Sequence, residues 1–166
     1  MTAIPAPAPA PRESARTAAA ADIPELAAMV VAASEEKRAQ KGGAVWYRRE
    51  RRQGDPAARL AGALDAADHE VAAGTLDDTV VGYAVARVEH LADGGLLGVV
   101  EDLYVDPQAR AVGVGEALMD HVLAWCRARG CFGVDSLALP GDRHTKNVFE
   151  SFGLVARAIV VHRPLG

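Results

Sequence analysis

One stretch constrains the fold more than any other: Val99 to Gly130, VVEDLYVDPQARAVGVGEALMDHVLAWCRARG. It begins as a strand carrying Glu101 and Asp102, passes through the turn RAVGVG, and ends as an amphipathic helix. The helix is read over Val114–Arg129, with Val114, Leu118, Val122 and Trp125 inward, Glu116, Asp120 and Arg127 outward, and Gly130 as its stop. The next apolar run, FGVDSLAL, must lie parallel to the first strand, because a helical crossover joins the two. Two glycines in the turn let backbone N–H groups converge at the helix start, where unpaired amides and the helix dipole favour an anion. Such a turn suits phosphate. It is not a dinucleotide fingerprint, since Leu118 stands where the third glycine belongs, and it lacks the Gly-Lys-Ser/Thr of a Walker loop.

The rest of the chain builds around that unit. Residues 1–15 alternate Ala and Pro and are expected to form a disordered tail ahead of a single domain over 16–166. A short extended piece near Arg16–Ala20 leads to a helix with Asp22 as N-cap and Glu25 closing a capping box. Leu26, Met29, Val30 and Ala33 share its buried face, and Gly42-Gly43 ends it. A polar, basic stretch, WYRRERRQGD, precedes a second short helix that starts at Asp55-Pro56 and runs through Leu60 and Leu64. From His69 the period changes to two, giving the antiparallel strands HEVAAGTL, TVVGYAVARVEHL and LLGVVEDLYV, with turns at Asp77-Asp78 and Asp93-Gly94-Gly95. After the central helix and FGVDSLAL, Asp142 caps a last helix, RHTKNVFESF, and LVARAIVVHRPL is read as a terminal strand. The fold class is α/β, a mixed central sheet with helices on both faces.

Composition narrows the function classes. A chain of 166 residues, half of them hydrophobic, buries one core, and a net charge of −4 argues against sequence-independent nucleic-acid binding. A mildly acidic surface suits a cationic or amine substrate. No apolar run approaches the ~20 residues of a bilayer span, and MTAIPAPAPAPRESAR lacks the apolar core of a secretion signal, so a cytoplasmic protein without membrane contact is expected. Cys126 and Cys131 read as packing residues, and His69, His90 and His162 show no ligand spacing, so no metal is expected. His121, in line with Leu118 and Trp125, reads as structural.

The element order and the turn together carry a family likeness. Arg110-x-x-Gly113-x-Gly115, directly after LYVDP and opening an amphipathic helix, resembles the acetyl-coenzyme A signature of the GNAT acetyltransferase superfamily, over about residues 16–163. The resemblance implies the acyl-CoA N-acyltransferase fold with acetyl-CoA as cosubstrate. It implies that Arg110, Ala111, Val112, Gly113, Val114 and Gly115 wrap the pyrophosphate of the coenzyme. It further implies that Leu103, Tyr104 and Val105 splay from the strand at Val134–Leu139, freeing main-chain groups for the pantetheine arm. A backbone N–H near Val105 would then polarise the thioester carbonyl. Asn147 is a candidate coenzyme contact; the alternative is a solvated helix-surface side chain.

An amine attacks a thioester only when neutral, so a proton acceptor is needed beside the acyl carbon. Strict alternation sends Glu101 to one face of its strand with Val99, Leu103 and Val105, and Asp102 to the other with Val100 and Tyr104. Related acetyltransferases often carry an acid at the place of Glu101, which favours it; a salt-bridged or capping role is the alternative for either acid. The family's usual acid, a tyrosine four residues before a glycine, is replaced here by Phe149. The departing thiolate would then take its proton from water, His144 or Tyr104, or leave without an acid. The segment Trp46–Arg52 falls where this fold builds its acceptor wall and suggests an anionic acceptor group, contact with the adenosine phosphates, or a solvated basic loop. The expected function is acetyl transfer from acetyl-CoA to a primary amine, of a small molecule or a protein, by direct attack in a ternary complex. The alternative is a non-catalytic acyl-CoA-binding module of the same fold. A homodimer is expected from the long apolar terminal strand.

Overall fold

The computed structural model describes residues 12–51 and 53–165. The expected tail falls mostly on residues 1–11, outside the described residues. Strand β1 (Glu13–Thr17) begins inside the stretch read as tail, pairing Glu13 with Leu76 and Thr17 with Ala72 of β2 (His69–Leu76). Strands β3 (Thr79–His90) and β4 (Leu96–Val105) continue the antiparallel meander, and β5 (Gly133–Ser136) adds to β4 in parallel, giving the order β1-β2-β3-β4-β5. The β2–β3 hairpin turns through Asp77 and Asp78, both left-handed at φ 47° and 66°, which matches the right-handed twist of the flanking strands. Between β4 and β5 runs α4 (Val114–Ala128), the crossover that makes this pair parallel.

Each face of the sheet buries its own core. Helices α1 (Ile23–Ala39) and α3 (Pro56–Asp65) cover one face, where Leu26, Val30 and Leu60 meet Val71, Tyr83 and Val85. On the other, α4 and α5 (Arg143–Ser151) bury Leu118, Met119, Val122 and Phe149 against Ala72, Ala84, Val100, Leu103 and Val105. Helix α4 comes close because the strands beneath it carry small residues: a Cβ on Gly74 would lie 2.8 Å from Val114, and one on Gly98 would lie 2.5 Å from the Cys126 sulfur. Asp55 and Asp142 cap α3 and α5, accepting from the amides of Ala58 and Thr145. Asp22 does not cap α1 through its side chain. Its own backbone is already helical at the end of a short turn, so the carboxylate points back to accept from the Ala19 amide and the Arg16 guanidinium.

Three segments depart from the reading of the sequence. The basic stretch after Gly42 is helical, α2 (Gly43–Arg49), entered through a left-handed Gly42 at φ 85°. Strand β5 ends at Ser136, three residues before the apolar run does. The terminal strand does not form: from Leu154 to Leu165 the chain has no sheet partner, and Val155, Ile159, Val160 and Val161 are exposed. An apolar, β-branched run shows that a segment can pair, but it supplies no edge, and β5 meets this one through the ion pair of Arg157 with Asp135. The strand from which a homodimer was expected is therefore absent.

Candidate active site

The strand geometry opens a cleft at the end of β4. Pairing with β5 runs from Leu97–Gly133 to Val100–Ser136 and then stops, with the Ser136 hydroxyl donating to the Val100 carbonyl at 3.0 Å. Beyond that point the outer edge of β4 has no strand beside it. The Asp106 amide donates to Val81 of β3, so alternation turns the main-chain groups of Tyr104 towards β3 and those of Leu103 and Val105 towards the open edge. The splaying implied by the family resemblance is thus present. Arg110 lies across this edge: its Nε donates to the Val105 carbonyl at 2.9 Å, its Nη2 donates to Glu36 at 2.7 Å, and its guanidinium stands 5.6 Å from the Tyr104 ring centre. The hydrogen bond to Glu36 raises the pKa of Arg110 against the opposing effect of burial. What remains is a narrow cleft of about 20 Å³, lined by Ala33, Glu36, Lys37, Tyr104, Arg110 and His144 among others.

The turn that follows divides its work among its residues. Ala111 is left-handed at φ 63°, a conformation costly for a residue with a Cβ, and Gly113 is left-handed at φ 94°. Gly113 is the N-cap of α4 and no side chain caps the helix, which leaves its first amides available to an anion. Gly115 serves packing instead: a Cβ there would touch Val148 at 3.4 Å, so the residue lets α4 sit against α5. Val112 is exposed and Val114 is buried in the core.

A second, larger cavity of about 330 Å³ adjoins the cleft, between α1, α2 and the β3–β5 face. A bulge in β4 shapes its floor: Val85 pairs with Asp102 and Ala86 with Val100, leaving Glu101 as the extra residue. Strict alternation therefore fails here. Glu101 and Asp102 both line this one cavity instead of leaving the strand on opposite faces. Glu101, whose side chain is 5% exposed, accepts from Arg87 Nε at 2.9 Å. Asp102 accepts from Lys37 Nζ at 2.5 Å and from the Tyr83 hydroxyl at 2.8 Å. Tyr83 is fully buried, and desolvation, then the Asp102 charge, push its pKa well above the ordinary phenol value, so it remains a donor. The Lys37 ammonium also sits 5.2 Å from the Trp46 ring centre. Among the described residues, five carboxylates line the cavity (Glu50, Glu101, Asp102, Asp135, Asp142) against three cations, Lys37, Arg59 and Arg87.

Most candidates from the sequence converge here. Leu103, Tyr104, Val105, Arg110, Gly115 and His144 line the cleft, while Ala111 to Val114 form the turn above it. Asn147 is exposed on α5 and lines neither space. Phe149 is buried in the core with α4, so no phenol replaces the usual tyrosine at that place. Of the basic segment, Trp46 and Glu50 reach the cavity; Arg48 and Arg49 are exposed, and Arg51 stacks on Tyr47. Arg52 lies outside the described residues. His121 pairs with the buried Glu70 at 2.7 Å, a contact that ties α4 to β2. Sequence reasoning missed Lys37, Tyr83 and Arg87. Their signal was positional: Lys37 extends the Leu26–Val30–Ala33 stripe of α1, and Tyr83 and Arg87 share one face of β3 with Val85. Among the described residues, no three His, Cys, Asp or Glu side chains are grouped to hold a metal ion, and no helix is long and apolar enough to cross a membrane.

Comparison with known proteins gives this fold its relatives. The profile of the acetyltransferase (GNAT) family matches residues 39–154. The chain is similar to an aminoglycoside N(6')-acetyltransferase type 1 of Stenotrophomonas maltophilia, 38% identical over 95 residues, which covers 54% of this chain and 62% of that protein. In structure it resembles an aminoglycoside acetyltransferase from an uncultured soil metagenomic sample in complex with sisomicin, with a TM-score of 0.65, 20% identity, and coverage of 93% and 95%. It also resembles the aminoglycoside N-acetyltransferase AAC(6')-Iy in complex with CoA, with a TM-score of 0.72, 16% identity, and coverage of 94% and 97%. A glucosamine-6-phosphate N-acetyltransferase from Arabidopsis thaliana shares the fold as well, with a TM-score of 0.65, 14% identity, and coverage of 93% and 99%. At these identities the structural likeness establishes the fold.

Proposed function

The chain belongs to the acetyltransferase (GNAT) family, and from that premise we propose that it transfers acetyl from acetyl-CoA to a primary amine of a small polycationic acceptor of the aminoglycoside class. The reaction is a cytoplasmic one and runs by direct attack in a ternary complex. The observation that carries this reading is the cavity beside the free edge of β4, where carboxylates outnumber cations and Trp46 offers an aromatic face. Acetyl-CoA supplies the activated acyl group. The uncapped start of α4 is fit to hold its pyrophosphate, and the free main-chain groups of Leu103 and Val105 are fit to pair with its pantetheine arm. The Val105 N–H then donates to the thioester oxygen as charge develops there. Arg110 must leave the Val105 carbonyl for the arm to enter, and its charge then becomes available to a phosphate.

The acceptor ammonium gives its proton to Glu101, which lines the acceptor cavity and is held by the Arg87 guanidinium, while the Lys37 ammonium and the Tyr83 hydroxyl hold Asp102. The neutral nitrogen attacks, and the thiolate leaves with a proton from His144 or water, being a good leaving group at its ordinary pKa of ~8.5. The buried Phe149 favours a second reading, a module that binds acyl-CoA without turning it over. Release of coenzyme A, followed across aminoglycosides, monoamines and a peptide N-terminus, separates the two. Release with the aminoglycosides supports the enzyme; donor binding without release to any amine supports the module.

A further inference from the structure

Lys37 belongs to both spaces of the site: it lines the cleft with Tyr104, Val105 and Arg110, and the cavity with Trp46, Glu101 and Asp102. Its side chain is 15% exposed. An amine at the junction of a donor slot and an acceptor cavity stands where the two substrates must meet. Asp102 contacts that amine at 2.5 Å and is fixed from behind by the Tyr83 hydroxyl, so a proton acceptor is already in place. We propose that Lys37 is a modification site, and that the protein acetylates Lys37 Nζ when donor is bound and no acceptor fills the cavity. This inference rests on the acetyl-transfer reading given above.

The step balances without a further reagent. The Lys37 ammonium passes a proton to Asp102 Oδ1, and the freed lone pair attacks the thioester carbonyl carbon. The new C–N bond forms as the C–S bond breaks, the nitrogen gives up its second proton to solvent, and coenzyme A leaves as its thiolate, which takes up the proton from Asp102 through solvent. Nothing is oxidised or reduced. An amide does not revert on its own, and each molecule reacts once. Acetylation removes the cation that neutralises Asp102, which leaves the cavity more negative by one charge.

The sequence makes the test clean, because the only other lysines are Lys41 and Lys146, both exposed. The full chain is incubated with acetyl-CoA alone, and the acetyl group is located by intact mass and peptide mapping. The expected result is one acetyl group, on Lys37, at a rate that saturates with acetyl-CoA and is suppressed by excess coenzyme A. Asp102→Asn should slow the labelling of Lys37 by about 10²-fold, the worth of a positioned base, while leaving that of Lys41 and Lys146 unchanged. Labelling of Lys41 and Lys146 at rates equal to Lys37 overturns the proposal, since that is simple chemical acylation. An unlabelled Lys37 in a protein that releases coenzyme A with an amine acceptor overturns it while the proposed function stands. Failure to bind the donor at all removes both.

Discussion

Glu101 and Asp102 differ in what holds them, not in where they point. Glu101 accepts from Arg87, whereas Asp102 is held by the Lys37 ammonium and a buried phenol. Glu101→Gln is therefore expected to keep donor affinity by calorimetry and to lower turnover by roughly 10²–10⁴ in steady-state assays, with Asp102→Asn doing less. Turnover that survives Glu101→Gln and collapses in Asp102→Asn would exchange the two roles. Cys126 behaves differently from an accessible thiol. It is buried under Gly98, and desolvation, then the neighbouring Cys131, push its pKa to about 11. Alkylation of the folded protein at pH 7 should leave Cys126 unmodified, as seen by peptide mapping, and its rapid labelling would show that α4 lifts from the sheet.

At the scale of elements, the turn into α4 is where the proposed donor site can be tested. Gly113→Asp is the informative change, because Asp tolerates a left-handed backbone and is a favoured N-cap, so the helix persists. The new side chain would approach Glu13 at 3.0 Å and place a second negative charge beside the uncapped amides of α4. Affinity for coenzyme A should fall by about tenfold or more in a variant with an unchanged circular dichroism spectrum. Undiminished affinity would mean that the pyrophosphate binds elsewhere. This strand–turn–helix unit was legible in the sequence because the hydrophobic period changes from two to 3.6 across a glycine pair, and the caps at Asp55 and Asp142 were legible for the same local reason. The bulge at Glu101 was not, because it is set by the register of β3 against β4, a relation between strands that no single segment encodes. Helix α2 escaped notice because its seven residues span less than two turns, too short to show a period. LVARAIVVHRPL misled in the opposite way, since its apolar, β-branched run is real but no neighbouring edge receives it.

Across the whole molecule, charge and burial make separate predictions. Residues 155–165 bury nothing, so a chain ending at Leu154 should melt within ~4 °C of the full one by calorimetry; a larger loss would show that this segment packs in solution. The charge distribution bears on the acceptor. If the acceptor is the proposed polycation, a net charge of −4 and, among the described residues, five carboxylates against three cations around the cavity would draw it in through field as well as contact. A field is screened and a contact is not, with a Debye length of ~10 Å at 0.1 M salt and ~3 Å at 1 M. The donor is an anion whose binding also changes with salt, so acetyl-CoA must be saturating when the acceptor is varied. Under that condition, raising the salt from about 0.05 M to about 0.5 M should raise KM for an aminoglycoside severalfold while kcat changes little. A monoamine, which feels one charge instead of several, should show a much smaller rise. Equal salt dependence for the two would mean that the cavity recognises only the amine that reacts, and the acceptor class would then have to be sought among monocations.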